Sequence, residues 1–160
     1  MKDILKGNAV VGQSGGPTAA INATLTGVIK GALENECIDT LYGMRNGIEG
    51  LMAERFVDLS ALFADESEQE ALIHTPAAAL GSCRFKLESL EKDESQYEKI
   101  VQILRKYDIG YFIYIGGNDS MDTIMKLSEY AEKILQIEKE YEGVADPEIE
   151  DDVFLKRRRV

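Results

Sequence analysis

The chain has 160 residues, of which 44% are hydrophobic and 29% charged, enough for one domain with its own core. Its formal net charge of -11 argues against nonspecific nucleic-acid binding, which needs a basic surface, but leaves room for a local basic pocket around an anionic metabolite. No apolar run approaches the roughly 20 residues of a membrane span. The N-terminal MKDILKGNAVV has too short an apolar run for a secretory signal and carries Asp3. Cys37 and Cys83 are too few for a disulfide framework and lack metal-ligand spacing, so they read as small buried residues in a reducing, bacterial-style cytoplasm.

Asn8 to Gln13 reads as a short apolar strand, Ser14-Gly15-Gly16-Pro17 as a loop, and Thr18 to about Glu34 as a helix. The helix carries Ile21, Leu25, Val28, Ile29 and Leu33 at helical spacing, and Pro17 suits its first turn, where a missing N–H costs nothing. A second strand, about Thr40 to Tyr42, ends at Gly43. Short helical pieces follow at Ile48 to Ala53, Ser60 to Phe63 and Ser67 to Ile73. Thr75 to Leu87 is a loop, and Ser95 to Tyr107 an amphipathic helix with Tyr97, Ile100, Val101 and Leu104 on one face. Tyr111 to Ile115 is a strand, and Ser120 opens a helix with Met121, Ile124, Met125 and Leu127 apolar. Residues 1–131 thus form the organised part. Residues 132–160, with the acidic run EIEDD and the basic run KRRR, read as a charged helix end and a flexible tail. His74, the one histidine, is assigned nothing. Short strands alternating with helices imply an α/β fold, a parallel sheet with helices on both faces, whose ligands bind at the carboxyl ends of strands.

Both Gly-Gly pairs sit at such ends. A phosphate wants N–H donors at close range and the positive end of a helix, and glycine lets backbone approach without a Cβ in the way. Gly15-Gly16-Pro17-Thr18 meets that need. Gly116-Gly117-Asn118-Asp119-Ser120 meets it again and adds oxygen ligands of the kind that hard cations such as Mg²⁺ take. Between them in sequence lies Ser82-Cys83-Arg84-Phe85, whose arginine could reach phosphate oxygens with its fork of donors. Taken singly, a Gly-Gly after a strand can be just a tight turn, Arg84 a surface arginine, and Asp119 a helix N-cap ahead of Ser120. Neither GxxxxGK[ST] nor GxGxxG occurs, so the Walker and dinucleotide fingerprints are missing.

Together the stretches GQSGGPTAAINATLTGVI, YGMRNGIEGLM, TPAAALGSCRFK and YIGGNDSMDTIMKLSEYA resemble the phosphofructokinase family over about Asn8 to Ala131, its pyrophosphate-using branch in particular. The wider superfamily of NAD kinases and lipid kinases shares only the strand with its GGDG-like turn, and does not explain GSCRF or SGGPTAAIN. The resemblance implies a partial doubly wound domain and transfer of a phosphoryl group from pyrophosphate, or ATP, to the C1 hydroxyl of fructose 6-phosphate in glycolysis. It implies donor contacts from Gly15, Gly16, Arg84, Phe85, Gly117, Asn118, Asp119 and Ser120. Asn118 stands where the family carries its magnesium-binding aspartate. Asp119, glycine in the ATP-using branch, is the residue that would select pyrophosphate, by bulk and by repulsion of a nucleotide's α-phosphate. The full-length family enzyme is expected to be a homo-oligomer, with no nucleic acid or membrane as partner.

The family's TIDND motif, which supplies the carboxylate that takes the hydroxyl proton, does not follow here, and neither do the MGR motif or the arginines and histidine that grip the sugar phosphate. The expectation is an amino-terminal portion carrying the donor side of the site. The alternative is a non-catalytic fragment or phosphate-binding module.

Overall fold

Alternation of side chains along the central strand divides the core in two. The computed structural model describes residues 4–15 and 18–141. In chain order its elements are β1 (Gly7–Gln13), α1 (Ile21–Glu34), β2 (Ile38–Met44), α2 (Gly47–Met52), β3 (Phe56–Asp58), α3 (Leu59–Leu62), α4 (Glu66–Ile73), α5 (Glu94–Lys106), β4 (Ile109–Ile115) and α6 (Asn118–Tyr141). Ala9 and Val11 of β1 point into a cluster with Leu25 and Ile29 of α1, Leu41, Leu59, Leu72 and Leu80. Val10 points the other way, toward Met44, Ile48, Leu51, Tyr97, Ile100, Ile103 and Tyr130. So α1, α3 and α4 cover one face, and α2, α5 and α6 the other, as a two-sided parallel sheet requires.

The sheet order is β3-β2-β1-β4. β1 pairs in parallel with both β2 and β4, and those three strands bear out the expected layout. The departure is β3, which runs antiparallel to β2, with Tyr42 opposite Asp58 and Met44 opposite Phe56, so the sheet is mixed. Three residues are too few for a period to show. What fixes them is aromatic packing: the Phe56 ring centroid lies 4.7 Å from that of Tyr107 and 5.9 Å from that of Tyr42. β2 also runs past Gly43 to Met44, because Gly43 is interior: a Cβ there would lie 2.8 Å from a Leu80 methyl.

Other boundaries moved for local reasons. Thr18 to Ala20 form a turn, with Ile21 N–H donating to the Thr18 carbonyl at 3.5 Å, so α1 begins at Ile21. Pro17 lies outside the described residues. Leu33, expected on the buried face of α1, is 43% exposed, and Ala32 takes the inward place. In α6 the apolar stripe of the sequence is buried only in part. Thr123, Leu127 and Tyr130 turn toward the sheet, while Met121 and Met125 are 68% and 55% exposed and line an open groove beside Tyr114. Helix α6 continues to Tyr141, in keeping with a charged helix end, and the expected flexible tail lies outside the described residues. Cys37 and Cys83 are free thiols, half-buried rather than fully buried. Among the described residues no helix is long and apolar enough to cross a membrane.

Two glycines give substitutions of opposite sign. A Cβ on Gly50 would fall 1.5 Å from the Arg45 carbonyl oxygen, inside the tight turn that starts α2. Gly27, mid-helix and exposed in α1, has open space around it. Gly50→Ala is expected to destabilise by at least about 2 kcal/mol, and Gly27→Ala to stabilise by roughly 0.5–1 kcal/mol. Urea midpoints of the two variants against wild type check both signs.

Candidate functional site at the strand ends

The chain leaves β1 toward β2 on one side and returns as β4 on the other, so the ends of β1 and β4 mark the point where the winding reverses, the place where open α/β sheets bind ligands. The structure brings the two glycine turns together there. Ser14 N–H donates to the Ile115 carbonyl at 2.8 Å, one residue past the last rung of the ladder. Gly15 has φ of +91°, the left-handed region that favours glycine, and a Cβ on it would stand 3.6 Å from the Gly117 nitrogen. Gly116 must be bare for internal reasons: its Cβ would lie 2.2 Å from Ser120 Oγ and 2.8 Å from the Ser14 carbonyl oxygen. Gly117 has no such reason. Its φ is not in the left-handed region, and a Cβ there would meet nothing within 4 Å. That bare backbone opens to solvent immediately before the N-terminus of α6, whose first N–H groups have no partner within the helix.

The loop between the turns is anchored by a buried polar clamp that the pattern reading missed. Asn22 Nδ2 donates to the carbonyls of Thr75 at 2.8 Å and Ala77 at 2.6 Å, while its Oδ1 accepts from Ala79 N–H and from Gln13 Nε2, both at 3.0 Å. Gln13 Oε1 accepts from Leu80 N–H at 2.8 Å. Both side chains are fully buried. An Asn on the apolar face of a predicted helix, and a Gln closing an apolar strand, were the available signals, since buried amides are kept only when satisfied.

Beyond the clamp, exposure alternates residue by residue. Ser82, Arg84 and Lys86 face outward; Cys83, Phe85 and Leu87 face inward. Cys83 Sγ lies 3.9 Å from Tyr114 Oη at the end of β4, Phe85 packs against the second core, and the Leu87 carbonyl accepts from Lys126 Nζ at 2.9 Å. The segment is therefore pinned along the end of β4 and the first turns of α6. Arg84 makes no hydrogen bond or ion pair among the described residues, and Lys86 Nζ reaches Asp119 Oδ1 at 3.5 Å. Of the predicted residues, Gly15, Gly117, Asn118, Asp119 and Arg84 are exposed around this end of the sheet, and Phe85 is half-buried. Gly16 lies outside the described residues.

Two residues differ from expectation. Asp119 is the second residue of α6, not its N-cap, because the helix opens at Asn118: Ser120 and Met121 N–H groups both donate to the Gly117 carbonyl. Ser120 is buried, and its Oγ, tucked beneath Gly116, is the one buried side-chain polar atom among the described residues without a partner. No cluster of three or more acidic, histidine or cysteine side chains suited to a metal occurs among the described residues. Asn118, exposed in the first turn of α6, offers an amide oxygen of the kind a hard cation can take. Behind the turns, burial pushes the Tyr114 phenol up to about 12. Its hydrogen bond with Ser14 pulls the other way, and the neighbouring Cys83 thiol adds to the rise.

A doubly wound sheet whose reversal point carries two adjoining glycine turns, one leading into a helix N-terminus, is the arrangement in which α/β domains take anionic ligands. Comparison with known proteins makes this specific. The family model described as Phosphofructokinase matches residues 8–144, and the chain belongs to the phosphofructokinase family. The pyrophosphate–fructose 6-phosphate 1-phosphotransferase of Methylococcus capsulatus is 46% identical over 128 residues, covering 79% of this chain. The ATP-dependent 6-phosphofructokinase of Actinobacillus pleuropneumoniae is 36% identical over 107 residues, covering 67%. The crystal structure of a pyrophosphate-dependent phosphofructokinase from Nitrosospira multiformis superposes with a TM-score of 0.71 at 40% identity over 79% of this chain. In each case the chain spans about 30% of the relative's length.

Asn22→Ala leaves the Thr75 and Ala77 carbonyls and the Ala79 N–H without their partner, while Gln13 Nε2 keeps its bond to the Ile21 carbonyl at 3.3 Å, and is expected to cost about 2–4 kcal/mol. Urea unfolding reads the loss, and hydrogen exchange should show it concentrated at residues 75–81. Tyr114 gives a pH prediction. The unfolded chain ionises this phenol near 10 and the folded chain only near 12, so stability falls as pH rises between those values. Tyr114→Phe should flatten that fall and remove the last-titrating step from the tyrosinate absorbance curve.

Proposed function

We propose that this chain provides the phosphoryl-donor side of a pyrophosphate-using 6-phosphofructokinase site, acting in the cytoplasm on the C1 hydroxyl of fructose 6-phosphate. The observation that carries the reading is the Gly15–Gly117 juxtaposition, where one turn is bare for no internal reason. Support also comes from the names of the relatives, pyrophosphate-dependent at 40–46% identity in four cases and ATP-dependent at 36%.

Phosphoryl transfer asks a protein mainly for positioning and charge neutralisation. Backbone N–H groups at Gly117, Asn118 and Asp119 would cradle the anion, helped by the positive end of α6. Arg84, with no partner among the described residues, would take phosphate oxygens bidentately. A magnesium ion bound there would neutralise charge between phosphate oxygens, with Asn118 its protein contact. Ser120 acts through the turn: its Oγ fills the space under Gly116, so the hydroxyl shapes the cradle from within. Asp119 occupies space that the α-phosphate of ATP would need.

Calorimetric titration with magnesium pyrophosphate and magnesium ATP tests the proposal. Pyrophosphate is expected to bind and ATP to bind more weakly. Arg84→Ala should weaken pyrophosphate about tenfold or more, and Asp119→Gly should raise ATP affinity. Equal donor affinities that Asp119→Gly leaves unchanged would sink the assignment of donor choice.

A further inference from the structure

Asp119 poses a charge problem. Pyrophosphate is itself polyanionic, so a bare carboxylate on the donor turn repels it as it repels a nucleotide. Two like charges a few ångströms apart repel, the more strongly the less solvent screens them. Bulk can discriminate between donors, but repulsion alone works against both.

The structure supplies a compensating cation from a different element. Lys86 Nζ stands 3.5 Å from Asp119 Oδ1. Lys86 is placed there by its neighbours: the alternation along the loop turns it outward with Arg84, while buried Leu87, tied to α6 by Lys126, fixes the backbone next to it. The side chains are 74% and 67% exposed, so the pair adds little to folding stability. Its value lies in the local field at the mouth of the turn. We propose that Lys86 is a specificity-determining residue of the donor site, cancelling the charge of Asp119 toward pyrophosphate while leaving its bulk in the way of a nucleotide. Arg84 and Lys86 then form one cationic edge facing the donor, and Asp119 is held in a fixed orientation by it.

This rests on the donor-site reading above, and a four-member cycle separates the two. Magnesium pyrophosphate binding is measured by calorimetry for wild type, Lys86→Met, Asp119→Asn and the double variant, at low and moderate salt, with urea midpoints as a folding control. Lys86→Met is expected to weaken binding at least fivefold, more at low salt, where the repulsion is least screened. Asp119→Asn in the same chain should restore most of that loss, and Lys86→Arg should retain near-wild-type affinity. Unchanged affinity in Lys86→Met, or a loss that Asp119→Asn does not relieve, overturns the role of Lys86 alone. No pyrophosphate binding by wild type overturns the donor-site reading and this inference with it.

Discussion

One hydrogen bond sets the geometry on which the site depends. By donating to the Ile115 carbonyl, Ser14 extends the β1–β4 ladder beyond its last strand pair and holds two chain reversals side by side. Without that contact each glycine pair would be an ordinary turn at the end of its own strand. With it, the backbone of Gly117 faces that of Gly15 across a gap no side chain fills. The Gln13–Asn22 clamp does the same for the third component. It ties the start of α1 and the end of β1 to the loop that carries Arg84, using amides whose donors and acceptors are all met inside the protein.

The electrostatics of this corner are unusual for an acidic protein. The net charge is -11, yet Arg84 and Lys86 face outward near the N-terminus of α6, with Lys126 further along that helix. Asp122 and Asp119 each answer one of the lysines, at 2.7 Å and 3.5 Å, and Arg84 has no partner among the described residues.

The larger elements were legible in the sequence because their periods are long enough to show. β1, α1, α5 and the apolar run of β4 were each visible in the pattern, and both glycine turns were correctly placed at strand ends. What the pattern could not give follows from contacts distant in sequence. β3 exists because Phe56 packs on Tyr107, about fifty residues on. Gln13 and Asn22 looked like blemishes in apolar runs, since their partners lie in a loop more than fifty residues away. The N-cap alternative for Asp119 arises because capping propensity is local, whereas the helix opens at Asn118, before Asp119, through the Gly117 carbonyl. The methionines of α6 were counted with the core because their spacing is helical. Which stripe of an amphipathic helix turns inward is decided by the sheet, and here Thr123, Leu127 and Tyr130 fit it.

The place of β1 has a consequence for how the molecule is made. Among the described strands β1 is made first and lies inside the sheet, and its partner β4 lies a hundred residues later, with Ala9 opposite Tyr111. At translation rates of about 5–20 residues per second, the interval is on the order of ten seconds. During it, β1 can pair only with β2, with the short β2–β3 hairpin forming alongside. The remaining edge of β1, flanked by Val10 and Val11, stays open until β4 emerges. Closing so long a loop is also entropically slow compared with forming the hairpin. The β1–β4 corner is consequently the last part of the described sheet to assemble, and the nascent chain carries β1 half-paired until β4 emerges.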